Sequence, residues 1–179
     1  MIEVRTLEPA DTESLEDFFR RVPEEDRAFF KEDVFDPATL DRWAADHRSR
    51  RLLALESGHV RGYVAVVPGI GLSDHVGEIR VVVDPAHRRR GLGRGLARRG
   101  LLEALGLGLR KVVVEASADQ EATIALFRRI GFEAEGILAG HVRDRAGGFH
   151  DLVVLAHQVD ATWAELATAG ITDEMGGGS

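Results

Sequence analysis

The chain has 179 residues and a net charge of −7, with 23 Lys and Arg against 30 Asp and Glu. This length suits one domain with a sizeable core, and the acidic balance argues against nucleic-acid binding by the whole surface. The composition, 44% apolar and 30% charged, is that of a globular protein, and the lack of cysteine excludes disulfides and thiolate metal sites. The sequence contains no apolar run of the roughly 18–20 residues that span a bilayer.

The predicted elements begin with a strand and three helical regions. Residues 2–7 alternate apolar and polar side chains, which is typical of a short strand. Pro9-Ala10-Asp11 then provides a turn and a cap for a first helix. A second helical region is predicted over residues 23–31, where the acidic run Glu24-Glu25-Asp26 is expected to form a solvated face. Asp36-Pro37, a cap followed by a first-turn proline, begins a third helix.

The middle of the chain is predicted to be a strand meander followed by a helix. Residues 51–56 and 60–67 are apolar runs separated by Ser57-Gly58-His59, which predicts a hairpin. A glycine-rich loop leads into a third long strand over residues 76–83. After it, leucines recur at helical spacing over residues 92–105.

The C-terminal part completes an α/β pattern. It contains a buried strand over 111–116, a helix over 119–130 that Gly131 stops, and two closing strands over 132–138 and 150–156. Asp160 is expected to cap a last short helix. The strands on either side of the 92–105 helix should lie parallel, so we predict one α/β domain with a mixed central sheet flanked by helices. This domain is expected to cover residues 1–170, with a flexible tail over 171–179.

Arginine and glycine are concentrated where the third long strand gives way to a helix. Glycine lets the backbone approach a ligand closely, and the first amides of a helix have no intrahelical acceptor and attract anions. Arginines add charge-assisted hydrogen bonds. This combination predicts a pyrophosphate site. Six arginines fall in this stretch: Arg88, Arg89, Arg90, Arg94, Arg98 and Arg99.

Two common phosphate-binding motifs do not fit this stretch. A P-loop requires Gly, four residues and then Gly-Lys-Ser/Thr, but no lysine follows here. The dinucleotide fingerprint requires G-x-G-x-x-G, whereas Gly91, Gly93 and Gly95 give G-x-G-x-G.

Two motifs resemble those of the GCN5-related N-acetyltransferases (GNATs). Arg88-x-x-Gly91-x-Gly93, after Val-x-Val-Asp-Pro, resembles the family's acyl-CoA loop, and Leu126-Phe127-Arg128-Arg129-Ile130-Gly131-Phe132 resembles its helix that ends in Leu-Tyr-x-x-x-Gly-Phe. The resemblance covers roughly residues 2–158 in element order. It implies a GNAT-like fold with a splayed parallel strand pair. It also implies direct transfer of an acetyl group from acetyl-CoA to a primary amine in a ternary complex.

The resemblance further implies which residues bind acetyl-CoA. Backbone amides from Arg89 to Arg94 would hold the pyrophosphate. The main chain of Val81 and Val83 would pair with the pantetheine arm, and an amide near Val82 or Val83 would polarise the acetyl carbonyl. The expected cofactor-binding residues are Val81, Val82, Val83, Arg88, Arg89, Arg90, Gly91, Leu92, Gly93, Arg94, Gln120 and Phe127.

Glu78 is the predicted catalytic base. In relatives, an acidic residue near this position removes the amine proton, and strand alternation places Glu78 and Arg80 on one face. A desolvated Glu would have a raised pKa, which suits a base. The alternative interpretation of Glu78 is an ion pair or a strand-end carboxylate, and Glu115 and His75 are alternative bases.

The motif supplies no general acid, because Phe127 stands where relatives often carry Tyr. Gln120 likewise stands where they often carry Asn. Water or Ser117 would protonate the departing thiolate, or CoA would leave unassisted, since its thiol has a pKa near that of Cys, about 8.5. The missing hydroxyl keeps an alternative open, a non-catalytic acyl-CoA-binding regulatory domain. The sole tyrosine, Tyr63, lies on the hairpin strand.

The expected partners are acetyl-CoA, as co-substrate, and an amine acceptor that is either a small molecule or a protein or peptide. The histidines lack metal-ligand spacing, so no metal is expected. Neither nucleic acid nor a membrane is an expected partner. The first residues lack the order of a secretory signal, which favours a cytoplasmic location. The sequence does not decide whether the last hairpin forms a homodimer.

Overall fold

The computed structural model describes residues 1–27, 30–144 and 146–159. The predicted Asp160 helix, the tail over 171–179 and the last part of the predicted 1–170 domain lie outside these residues.

The described residues form seven strands and five helices. The strands are β1 (Glu3–Thr6), β2 (Arg50–Glu56), β3 (His59–Pro68), β4 (Val76–Val83), β5 (Lys111–Ser117), β6 (Glu133–Arg143) and β7 (Phe149–Gln158). The helices are α1 (Thr12–Arg21), α2 (Glu24–Arg27), α3 (Pro37–Ala45), α4 (Leu92–Gly106) and α5 (Glu121–Arg129). No helix in this part of the chain is both long and apolar enough to cross a membrane.

All seven strands belong to one sheet in the order β1-β2-β3-β4-β5-β7-β6. Neighbouring strands are antiparallel except β4 and β5, which are parallel and joined by the α4 crossover. The predicted mixed α/β sheet with one parallel pair is therefore confirmed.

Helices cover both faces of the sheet, because α1, α3, α4 and α5 each have an apolar stripe to bury. On one face, α1 and α3 pack Phe18, Phe19 and Trp43 against Tyr63 of β3. On the other face, α4 and α5 bury a second cluster that contains Leu96, Leu101, Val112 and Phe127. Gly62 of β3 lets α4 approach closely, since a Cβ there would lie 2.6 Å from Leu96 Cδ1.

The second helical region and the closing strands differ from the prediction. Among the described residues of this region, helix α2 covers Glu24–Arg27, and residues 30 and 31 are not helical. The four residues of α2 are all polar, and none of them is buried. The closing strands are longer than predicted and meet near a tight turn, with an irregular register between Leu138 and Val142.

Candidate active site

The parallel strands β4 and β5 part after three paired positions. The register runs from Val76↔Lys111 to Glu78↔Val113. Beyond it, β4 continues to Val83 alongside β3, and β5 continues to Ser117 alongside β7. The predicted splay is therefore present, and the two strands diverge into a groove of about 980 Å³.

The main chain of β4 supplies hydrogen-bonding groups to this groove. The amide of Asp84 donates to the carbonyl of Arg61 on β3 at 2.9 Å. Since main-chain direction alternates along an antiparallel strand, Val82 faces β3 while Val81 and Val83 face the groove. Arg88 Nε donates to the Val83 carbonyl at 3.2 Å, which agrees with this orientation. Of the two predicted polarising amides, the geometry favours that of Val83.

The N-terminus of α4 opens onto the same groove. Gly91 caps the helix in the left-handed region with φ +83°, and Arg89 before it has φ +60°. Within the described chain, no side chain caps α4, so its first amides retain their hydrogen-bonding capacity and the positive end of the helix dipole. Three arginines line the groove beside this terminus, Arg88, Arg89 and Arg94.

Most of the predicted cofactor-binding residues line this one groove. Those that do are Val81, Val82, Val83, Arg88, Arg89, Gly91, Gly93, Arg94, Gln120 and Phe127. Arg90 and Leu92 are not among the described residues that line it. A Cβ at Gly93 would lie 3.3 Å from Leu126 Cδ1 and 3.5 Å from Val83 Cγ2. A larger side chain there would press α4 against both groove walls.

Asp84 fixes the turn that carries β4 into the arginine- and glycine-rich loop. Its Oδ1 accepts from the amide of Ala86 at 3.0 Å, and its Oδ2 accepts from Arg21 Nε at 3.2 Å. Burial raises the pKa of Asp84, but the Ala86 amide and Arg21 lower it by more than burial raises it. The pKa of Asp84 therefore lies below the ordinary value. The sequence prediction did not assign Asp84 a role, although its position before Pro85 is a common capping signal.

Glu78 lies where the groove begins, in an ion-paired network. Its two carboxylate oxygens accept from Arg80 Nε at 2.9 Å and Arg80 Nη2 at 3.0 Å, and Lys31 Nζ lies 3.2 Å from Oε2. Burial raises the pKa of Glu78, but Arg80 and Lys31 together outweigh burial and leave it below the ordinary value. The expectation of a raised pKa is therefore wrong, and Glu78 is an ionised carboxylate at neutral pH.

The alternative bases occupy different places. Glu115 lines the groove opposite Glu78, and its Oε1 lies 3.2 Å from Lys31 Nζ. His75 precedes β4 at the closed end of the strand pair, and its carbonyl accepts from the amides of Arg110 and Lys111. Geometry therefore favours Glu78 and Glu115 over His75.

Neither Ser117 nor Tyr63 belongs to the described groove lining, in which Thr123 of α5 is the one residue with a hydroxyl. Phe127 is buried and packs edge-on against Phe132 with ring centroids 5.0 Å apart. Ser117 donates its hydroxyl to Asp119 at 3.2 Å and is not a lining residue. Tyr63 is fully buried among aromatic rings, and burial raises its pKa to about 12.

The sequence prediction missed two residues that contact predicted site residues, Asp26 and Lys31. Asp26 of α2 accepts from Arg88 Nη2 at 2.5 Å and from Gln120 Nε2 at 3.2 Å. Lys31 bridges the two carboxylates described above. Asp26 therefore lies in an ion-paired contact with the loop instead of on the expected solvated face. No local pattern could reveal these contacts, because each joins segments 47 to 94 residues apart.

Comparison with known proteins decides the family. The Acetyltransferase (GNAT) family matches residues 12–132, a range that contains the splayed strands, the loop, Glu78 and Glu115. The chain belongs to the GNAT family. The resemblance drawn from the two motifs is thereby confirmed, as is the expectation of an enzyme family.

The relatives of this GNAT chain include proteins with different names. The chain is 34% identical to a mycothiol acetyltransferase of Amycolatopsis mediterranei over 115 residues, 61% of this chain and 33% of that protein. It is 31% identical to the N-alpha-acetyltransferase RimI of Mycobacterium tuberculosis over 124 residues, 66% of this chain and 74% of that protein. The chain thus spans about a third of the length of the mycothiol acetyltransferase it matches.

A solved structure supports the fold. A Salmonella typhimurium protein determined with its cofactor acetyl-CoA superposes with a TM-score of 0.76 at 22% identity, over 89% of this chain and 95% of that one. This likeness concerns the fold, so the roles of individual groove residues stay predictions.

Proposed function

We propose that this GNAT chain transfers an acetyl group from acetyl-CoA to a primary amine, by direct attack within a ternary complex. The observation that carries the proposal is the groove between β4 and β5, which has free helix amides at one end and two carboxylates at the other. An anionic thioester and a cationic amine could therefore bind in one continuous space. The family match and the acetyltransferase relatives support the same activity.

The groove residues fit acetyl-CoA by charge and by hydrogen-bonding capacity. The amides that begin α4, together with Arg89 and Arg94, would hold the pyrophosphate. The groove-facing main chain of Val81 and Val83 would bind the pantetheine arm as an added strand edge. Acetyl-CoA supplies the activated acetyl thioester.

Glu78 would prepare the amine for attack. Its carboxylate lies at the point where the strands part, 15% exposed in its side chain, and is held in place by Arg80. An ionised carboxylate there can bind the ammonium group and accept its proton, directly or through water. Because Phe127 carries no hydroxyl, the departing thiolate would take its proton from water or leave unassisted.

The acceptor is either a small-molecule amine or a protein or peptide amine, and the relatives' names include a mycothiol acetyltransferase and an N-alpha-acetyltransferase. We also propose that the enzyme is located in the cytoplasm. Gel filtration of the purified chain tests whether it forms a homodimer. The buried Phe127 favours a second candidate, a domain that binds acyl-CoA without turnover.

A coupled experiment separates the two candidates. The purified full chain is titrated with CoA by calorimetry, and then incubated with acetyl-CoA, a thiol reagent and a panel of small amines and peptides. Turnover above the buffer rate supports the transferase, whereas tight CoA binding with no turnover across the panel supports the binding domain. Absence of CoA binding contradicts both.

A further inference from the structure

Lys31 is not among the described residues that line the groove, but its primary amine contacts two carboxylates that do line it. Its Nζ lies 3.2 Å from Glu78 Oε2 and 3.2 Å from Glu115 Oε1. These carboxylates belong to the two parallel strands, and the last registered pair between those strands is Glu78↔Val113. The amine therefore sits across the mouth of the divergence, on the side where the proposed reaction would occur.

Asp26, five residues before Lys31 in the sequence, has contacts at the other end of the groove. Asp26 lies against Arg88 of the loop and Gln120 at the start of α5. An acidic side chain thus contacts the predicted phosphate end, and a basic side chain contacts the predicted acceptor end. The positions of these two side chains match the expected order of a bound anionic thioester and a cationic amine.

A second lysine, Lys111, serves as a control for the position of Lys31. Lys111 is the one other lysine in the sequence. It begins β5 at the closed end of the strand pair, and its Nζ lies 2.6 Å from Glu135 of β6. Both lysines are ion-paired, but only Lys31 contacts Glu78, the predicted base.

We propose that Lys31 is an intramolecular acetyl acceptor, a modification site of this enzyme; this inference rests on the proposed transferase function. The Lys31 ammonium gives one proton to the Glu78 carboxylate, and the neutral Nζ attacks the thioester carbonyl carbon. A C–N bond forms and the C–S bond breaks, with its electron pair going to sulfur. The second Nζ proton leaves with the thiolate as CoA thiol, and the product is N-acetyl-lysine.

The modification is tested by incubating the full chain with acetyl-CoA and following each amine by peptide mass spectrometry. Because a held amine reacts as an intramolecular nucleophile, Lys31 should gain its acetyl group at least about tenfold faster than Lys111. Its rate should not change when the protein is diluted. Equal rates at the two lysines, or a Lys31 rate that scales with protein concentration, would overturn the inference.

Matched variants sharpen this experiment. Lys111→Arg should keep the added mass of one acetyl group, while Lys31→Arg should lose it. Glu115→Gln should slow acetylation of Lys31 relative to Lys111, because it removes one of the two carboxylates that hold the amine and leaves the Glu78–Arg80 pair in place. Unchanged relative rates in Glu115→Gln would contradict the geometry.

The same preparation is assayed with the external amine panel, which separates the two proposals. Turnover of external amines with Lys31 unmodified refutes the modification site alone. Failure of both reactions refutes the transferase function together with the inference.

Discussion

Replacing Gly91 by alanine tests whether the backbone conformation of the loop binds CoA. Gly91 has φ +83°, and an L-residue in the left-handed region costs roughly 1–2 kcal/mol. No described atom lies within 4 Å of a Cβ at this position, so the strain comes from the backbone alone. We expect Gly91→Ala to relax the loop and turn an α4 amide away from the groove. Loss of one charge-assisted hydrogen bond, worth about 1.5–3 kcal/mol, would weaken CoA binding roughly tenfold to a hundredfold.

Isothermal titration calorimetry with CoA measures this change, and Gly95→Ala is the matched control. Gly95 lies one turn into α4 and outside the groove lining, and a Cβ there also meets open space. Gly95→Ala should therefore bind CoA like the parent and gain about 0.5–1 kcal/mol in free energy of unfolding. If Gly91→Ala loses stability yet keeps the parent's CoA affinity, the loop conformation is not what binds the ligand.

Three further variants test the base, the acid and a structural ion pair. Glu78→Gln should lower turnover about a hundredfold or more near neutral pH and recover in part at alkaline pH, where free amine accumulates; a pH profile parallel to the parent's would remove Glu78 from this role. Phe127→Tyr should raise turnover near neutral pH and lose that advantage above about 8.5, where the thiolate leaves unaided; a gain that persists at high pH would show a different origin. Asp46→Asn should destabilise the fold by about 1–3 kcal/mol in urea denaturation, because Asp46 accepts at 2.9 Å from the buried Arg51. Burial opposes ionisation of Asp46, but Ser49, Arg51 and the Arg48 amide lower its pKa from 3.8 to about 2. The ionised Asp46 thus contributes to the free energy of unfolding above pH 3.8, and this contribution is lost as the pH falls towards 2. The stability difference between the parent and Asp46→Asn should therefore shrink over that range; a difference independent of pH would refute the assignment.

Elements with clear periodicity and caps could be predicted from the sequence. Helix α1 buries Leu15, Phe18 and Phe19 along one stripe, as its spacing indicates, and Asp36 accepts from the Ala38 amide at the start of α3. The second helical region could not be bounded in this way, because Glu24–Arg27 carries no apolar stripe whose burial decides its length.

Part of the candidate site could be predicted from the sequence, and part of it could not. The loop was predictable because its glycines and arginines are adjacent in sequence. The contacts of Lys31 and Asp26 depend on which strands and loops the fold brings together, which no spacing reveals. The pKa of Glu78 is lowered and not raised for the same reason. Its strand position predicts desolvation, which raises the pKa, but Arg80 and the distant Lys31 together lower the pKa by more.

The divergence of β4 and β5 also bears on how ligand and fold depend on each other. In the described part of the chain, β4 and β5 share three registered residue pairs, where the β1–β4 half of the sheet meets the β5–β7 half. A molecule that forms hydrogen bonds with the free edge of β4 would replace some of the hydrogen bonds that β4 and β5 do not make with each other beyond Glu78. Since it would bind the folded state and not the unfolded one, its concentration would set the melting temperature as directly as a core substitution does.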